Sequence, residues 1–200
     1  MRLITGLVPI SLFSAFLLLA RLAQAGERRR EPDFERGAYA HLFGGLELGR
    51  GLRLNNPYRL ETVLGDDAES LSLTATYLDL SAGAAFGPPD RLQHGAALHA
   101  SFALHGIPQE VLTPSYVAMM RWTPFRFHGR IGTPIVLEPD ANVGGEIAAG
   151  AAWLLSAGLG VGLELCASLF YGAATYDRTV TAIPIVSLQG GLAVDYEILP

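Results

Sequence analysis

The chain has very little cysteine and little charge. Cys166 is the one cysteine among 200 residues, so the sequence permits no internal disulfide and no zinc site built on cysteines. Only 16% of the residues are charged. Arg2 and Arg21 would leave with the signal peptide predicted below, and the remaining 12 basic against 19 acidic residues give a net charge of −7. This balance disfavours a nucleic-acid partner, which requires a clustered basic surface.

The N-terminus has the pattern of a targeting segment. Arg2 gives a basic start, residues 3–20 are an apolar run, and residues 23–25 read Ala-Gln-Ala, a cleavage site of the A-x-A type. We expect a signal peptide over residues 1–25. Residues 26–36 are dominated by charge and predict a solvated periplasmic leader. Residues 37–200 then suit a single domain.

Residues 159–171 alternate between two kinds of side chain. Leu159, Val161, Leu163, Leu165, Ala167, Leu169 and Tyr171 share one face, and Gly160, Gly162, Glu164, Cys166, Ser168 and Phe170 share the other. A period of two predicts a strand. Seven apolar positions on one face suit a strand that crosses a bilayer, and small or polar residues on the other face suit a polar lumen.

The whole chain after Gly26 repeats this pattern, and no helical periodicity competes with it. The predicted strands cover 38–49, 71–86, 91–106, 113–122, 125–136, 144–155, 159–171 and 181–198. Long and short connections alternate between them, and the longest spans residues 50–70. This arrangement predicts an all-β, eight-stranded antiparallel up-and-down transmembrane barrel with both termini in the periplasm.

The architecture resembles the small eight-stranded outer-membrane proteins of the OmpA and OmpX type. The resemblance implies a non-enzymatic barrel in the outer membrane of a Gram-negative envelope, surrounded by lipid, monomeric and without a cofactor. Its role would be envelope stability, adhesion or surface recognition through the outer loops. Residues 189–196 resemble the β-signal on the last strand of such barrels, which implies recognition by the barrel-assembly machinery. A soluble lipocalin-like barrel is an alternative that would hold its large apolar side chains inside.

Strand parity also predicts what faces the lumen and what faces the interfaces. The predicted polar network of the lumen comprises Glu47, Asp79, Arg121, Arg126, Arg130, Glu146, Glu164 and Asp195. Buried charges must pair or stay wet, and eight strands leave an interior that side chains can fill, so we expect a salt-bridged plug. A small anion pore is the alternative. Outward aromatic residues are expected to collect near the periplasmic interface (Phe86, Trp122, Phe125, Phe127, Trp153, Tyr196), with Tyr116 and Tyr171 toward the outer one.

One short motif suggests chemistry. His99-Ala-Ser101 resembles the His-x-Ser pair of the outer-membrane lipid A deacylases, which implies a lipid-modifying hydrolase, with Glu110 available to orient the histidine. Parity places His99 and Ser101 in the lumen instead of on the lipid face. A structural pair in the lumen is therefore the preferred interpretation, with the enzyme as an alternative.

Overall fold

Nine β-strands make up all the regular structure in the part of the chain that is described. The computed structural model describes residues 40–54, 71–88, 90–138, 141–156, 158–171 and 182–198. The strands are β1 Ala40–Arg53, β2 Ser72–Phe86, β3 Gln93–Ala103, β4 Glu110–Trp122, β5 Phe125–Gly132, β6 Ile135–Glu138, β7 Asn142–Ser156, β8 Leu159–Tyr171 and β9 Ala182–Ile198. No helix within these ranges is long and apolar enough to span a membrane. The predicted signal peptide, leader and most of the 50–70 connection lie outside the described residues.

The sheet closes on itself because the first and last strands pair. Each strand is antiparallel to its neighbour in sequence, and β1 also pairs with β9 along its whole length. β5 and β6 share the neighbours β4 and β7 and keep one register with them, so they form one strand of the barrel. The interruption falls at Thr133 and Pro134, since proline has no N–H to donate to the ladder. The predicted eight-stranded antiparallel barrel is therefore confirmed.

The register sets the tilt of the strands. A path through directly paired residues leaves Phe86, passes through every strand and returns to β2 at Thr76, ten residues away. This stagger over eight strands corresponds to a tilt of roughly 40° from the barrel axis. At that tilt a strand of 13 residues rises about 30 Å, enough to cross the apolar part of a bilayer.

The two ends of the barrel differ in their connections. We call the end that holds residues 87–92, 123–124 and 157–158 the turn end. The opposite end, the loop end, holds the connections 54–71, 104–109, 139–141 and 172–181. β1 begins and β9 finishes at the turn end, where Ala40 pairs with Ile198. Both ends of the barrel domain therefore lie on the side of the tight turns.

Three strand limits differ from the sequence prediction. β1 continues to Arg53 because residues 51–53 pair with β9, whereas the predicted connection began at Arg50. β4 begins at Glu110 instead of residue 113, because residues 110–112 pair with β6. β3 covers Gln93–Ala103, shorter than the predicted 91–106. Pairing partners, which local patterns do not contain, decide all three limits.

Candidate functional site in the barrel lumen

The wall of the barrel is apolar outside and polar inside. In β8, Leu163 is 62% exposed and its neighbour Glu164 only 2%. The same alternation runs along β9, where Leu192 and Val194 are exposed while Ala193 and Asp195 are buried. A soluble barrel has the opposite arrangement, since burial of apolar side chains drives its folding. The exterior of this barrel is suited to lipid, so the fold is that of a transmembrane barrel.

Large aromatic side chains surround the turn end on the outside. Phe86, Trp122, Phe125, Trp153 and Tyr196 are all exposed there. Trp122 pairs with Phe125, which pairs in turn with Trp153, so the rings form a band across neighbouring strands. Such a band is typical of a membrane–water interface, where aromatic rings are favoured.

Tyr116 does not occupy the position that the sequence suggested for it. Its hydroxyl contacts the ring of His94, and the two rings stack with centroids 6.0 Å apart. His94 pairs with Phe86, the last residue of β2 at the turn end. Tyr116 therefore leans toward the turn end and not toward the opposite interface. The side chain of Tyr171 lies outside the described residues.

Arg130 is the centre of the largest polar group inside the barrel, which we call the Arg130 group. Its guanidinium donates to Glu164 from Nε at 3.1 Å and from a terminal nitrogen at 2.7 Å, and it also donates to Glu146. His128 Nε2 lies 2.7 Å from Glu164 Oε2, and Gln189 donates to Glu164 at 2.8 Å. One arginine thus connects β5 to carboxylates on β7 and β8, which fixes these strands relative to one another.

Asp79 holds both residues of the His-x-Ser pair. Asp79 Oδ1 lies 3.0 Å from His99 Nδ1, and Ser101 Oγ donates to Asp79 Oδ2 at 2.5 Å. All three face the lumen, because Asp79 pairs directly with Ser101 on the neighbouring strand. Asp79, and not Glu110, therefore orients the histidine. The serine donates to the carboxylate and not to the imidazole, so the contact between nucleophile and base that a serine hydrolase requires is not made.

A second polar group, the His41 group, lies near the turn end. His41 Nδ1 is 2.7 Å from Gln93 Oε1, and its Nε2 is 3.3 Å from Asp195. Arg126 donates to the backbone carbonyl of Val194 at 3.1 Å. All four of these side chains are at least 94% buried. Within the described residues neither oxygen of Asp195 has a hydrogen-bond donor, so its charge is balanced through the ion pair with His41 alone.

Beyond the His41 group, Arg121 and Glu197 form an ion pair at 3.1 Å, and both are partly exposed. Both residues lie at strand ends beside the tight turns, where water can reach them. Solvent screening makes this pair weaker than the pairs deeper in the lumen.

An apolar cluster fills the space between the His41 group and the Arg130 group. It consists of Ala85, Ala97, Val117 and Met119, with Phe43 packed against it. Val117 and Met119 are each only 1% exposed, and Val117 pairs with Arg130 on β5. The Arg126 guanidinium lies 5.5 Å from the centroid of the Phe43 ring, a cation–π contact with the edge of the cluster. The turn-end half of the lumen is therefore packed with side chains.

Glu47 stands apart from these groups. It forms no ion pair with any described residue, although its parity places it in the lumen. A Cβ at Gly45 would lie 3.5 Å from its Oε1, and one at Gly162 would lie 3.6 Å away. The absence of side chains at these two glycines leaves the room that the carboxylate occupies.

The eight residues of the predicted network are thus distributed over several separate groups. Arg130, Glu146 and Glu164 are bonded directly to one another, whereas Asp79, Asp195 and Arg121 each have a partner outside the predicted set. The prediction omitted His41, Gln93, Gln189, Ser168 and the apolar cluster. Strand parity placed all of these inside as well, but parity gives no information on which inward side chains meet across the lumen.

The loop-end half of the lumen contains a cavity of about 460 Å³. The Arg130 group and Gln189 lie at its floor, and Asp79, His99 and Ser101 lie on one wall. Its rim includes Arg53, Asn142 and Ile107. The lumen is therefore filled at one end and hollow at the other.

No protein-family model matches the chain, and no curated protein matches it either. Two solved structures are similar. One is Neisserial surface protein A, NspA, which is 12% identical and has a TM-score of 0.43, with 80% of this chain and 99% of that chain covered. The other comes from the de novo design of transmembrane β-barrels and is 10% identical, also with a TM-score of 0.43, covering 84% and 98% of the two chains. At these values the assignment of the fold rests on the strand pairing of this chain.

Proposed function

We propose that this protein is a non-enzymatic, monomeric outer-membrane barrel with a plugged lumen. Its loop end would face the outside of the cell, and its role would be envelope stability, adhesion or recognition through that end. The observation that carries the proposal is the inverted wall of the barrel, apolar outside around a lumen packed with paired charges and an apolar cluster.

The inverted wall supports a membrane location. A closed barrel satisfies all its backbone hydrogen bonds internally and is one of only two structures that can span a bilayer. Single-chain barrels of this kind are typical of outer membranes, with tight turns on the periplasmic side and longer loops outside. By that rule the turn end of this barrel, with both ends of the barrel domain, would face the periplasm.

The contacts in the lumen support a structural role over the two alternatives. Ser101 donates to Asp79, which leaves it without the histidine that would activate it as a nucleophile. The apolar cluster and the Arg130 group lie one after the other along the axis, so ions would have to cross both. Sequence pattern and lumen contacts therefore favour neither hydrolase nor pore.

Surface exposure of the loops is tested by inserting a small epitope at Asp66 or at Pro89 and probing intact cells with antibody. Both positions lie outside the described residues, one in the 50–70 connection and one in the turn after β2. We expect labelling at Asp66 and none at Pro89 until the outer membrane is permeabilised. Labelling at Pro89 alone would invert the orientation, and labelling at neither would contradict an outer-membrane location.

Two further measurements address the alternatives. The purified barrel in a planar bilayer should give negligible steady conductance, and large stable single-channel steps would instead identify a pore. Lipid A from cells that lack the protein should be identical to that of the parent. A change in acylation that wild-type protein restores and Ser101→Ala does not would identify an enzyme.

A further inference from the structure

The cavity in the loop-end half of the lumen has the size and lining of a ligand site. Pockets for small molecules commonly measure 300–1,000 Å³, and this one measures about 460 Å³. Its floor is formed by side chains that are already bonded to one another, including Arg130, Glu146 and Gln189. The cavity therefore ends at the Arg130 group, so a molecule that enters is held and does not pass through.

The two sides of the cavity differ in chemistry. On β2 and β3 the lining is polar, with Tyr77, Asp79 and His99, while on β8 and β9 it is apolar, with Phe170, Ile183 and Ile185. β3 and β8 are four strands apart in the ring of eight, so these surfaces lie on opposite sides of the lumen. A ligand that satisfies both sides needs polar groups on one side and an apolar body on the other.

The charges of the lining leave cations available and acids occupied. Asp79 is bonded to His99 and Ser101, and Glu146 is bonded to Arg130 and Ser168. Arg53 has no acidic partner among the described residues, and its buried Nε has no hydrogen-bond acceptor there. Because an unsatisfied buried donor is costly, an anionic oxygen beside Arg53 would be stabilised.

Arg53 also lies where the two sides meet. It pairs with Ile185 on the apolar side and with Ser72, at the start of β2, on the other. We propose that this cavity binds a small organic anion, with its carboxylate or phosphate group against Arg53 and its apolar body against Phe170, Ile183 and Ile185. The inference goes beyond the role proposed above and does not depend on which side of the membrane the loop end faces.

The test uses the full mature barrel refolded in an uncharged maltoside detergent. Phenyl phosphate is the probe, because it joins an anionic group to an apolar ring, and binding is measured by titration calorimetry against a protein-free micelle blank. Inorganic phosphate lacks the ring and phenol lacks the anion. We expect phenyl phosphate to bind at least about tenfold more tightly than either.

Variants locate the site. Arg53→Gln should weaken phenyl phosphate binding about tenfold or more, since it removes a charged donor. Arg91→Gln, the same change at the turn end, should have less than about a twofold effect. Ser187→Phe fills the cavity without changing charge and should also weaken binding. Amide NMR shifts of wild-type protein should change at Gly49 and Gly51 and not at Ala152, which keeps the location measurable if Ser187→Phe fails to fold.

Three results would overturn the proposal. Phenol may not bind as well as phenyl phosphate, because equal binding would remove the role of the anion. Equal losses with Arg53→Gln and Arg91→Gln would show a diffuse charge effect without a site. Finally, no measurable binding of phenyl phosphate at millimolar concentration would show that the cavity does not accept this class of ligand.

Discussion

The outer and inner faces of the barrel wall follow different rules of stability. Leu163 and Glu164 are neighbours in β8, yet Leu163 contacts the surroundings and Glu164 is bonded to three side chains. The outer face needs only apolar character, because lipid is fluid and adapts to any apolar shape. The inner face needs specific partners, because a buried charge without one is costly. Substitutions should therefore have effects that depend on the face more than on the residue type.

The largest effect is expected at the centre of the lumen. Arg130→Met should lower the free energy of unfolding by about 3–5 kcal/mol, because it leaves Glu146 and Glu164 buried without their shared cation. Arg121→Met is the matched control, and it should cost less than about 1 kcal/mol, since its pair with Glu197 is partly exposed. Urea unfolding in lipid vesicles measures both. Equal losses would show that the Arg130 group is not a buried ionic network.

Two adjacent methionines compare the faces directly. Met119→Ala should cost about 2–5 kcal/mol, because it opens a void in the apolar cluster that the closed barrel cannot fill. Met120 is on the outer face, where lipid chains can occupy the space, so Met120→Ala should cost distinctly less. The same unfolding experiment applies to both, and a larger loss at Met120 would assign the two side chains to the wrong faces.

A charge on the outer face should be penalised according to its depth. Leu163→Arg, far from either end of β8, should cost about 2–4 kcal/mol. Leu159→Arg, the first residue of β8 at the turn end, should cost about 0–1 kcal/mol because the arginine can reach the interface. Folding yield and stability in vesicles measure both variants. Insensitivity at Leu163 would mean that this face does not meet lipid.

The smallest effect concerns the contact between Tyr116 and His94 on the outer face. Tyr116→Phe should cost about 0.5–1.5 kcal/mol through the loss of one hydrogen bond. Tyr196→Phe is the control, because the hydroxyl of Tyr196 has no partner among the described side chains, and it should be close to neutral. Indistinguishable stabilities of these two variants would show that the contact with His94 contributes nothing.

Much of the fold could be predicted because each strand carries its own signal. Alternation identified β8 as Leu159–Tyr171 without error, since its pattern has no proline and no break. The interruption near Pro134 and the extension of β1 to Arg53 could not be predicted, because they depend on which residues pair across strands. Local patterns report the face of a side chain and leave its partners undetermined.

The same limit explains the lumen. Parity placed Met119 and Arg126 on the inner face alike, but only the register brings Met119 beside Ala85 and Ala97. Asp79 was predicted as part of a network of arginines and acids, whereas pairing with β3 places it against His99 and Ser101. The cavity is likewise a property of the assembled ring, since no single strand encloses it.

The most direct test of the inverted wall is a nitroxide scan of β8 in lipid vesicles. Single cysteines at positions 160–169, in a Cys166→Ser background except at 166 itself, carry the spin label, and its accessibility to oxygen is measured at each position. The account predicts a period of two, with maxima at Val161, Leu163, Leu165 and Ala167 and minima at Gly162, Glu164 and Ser168. The opposite phase, or no alternation at all, would contradict it.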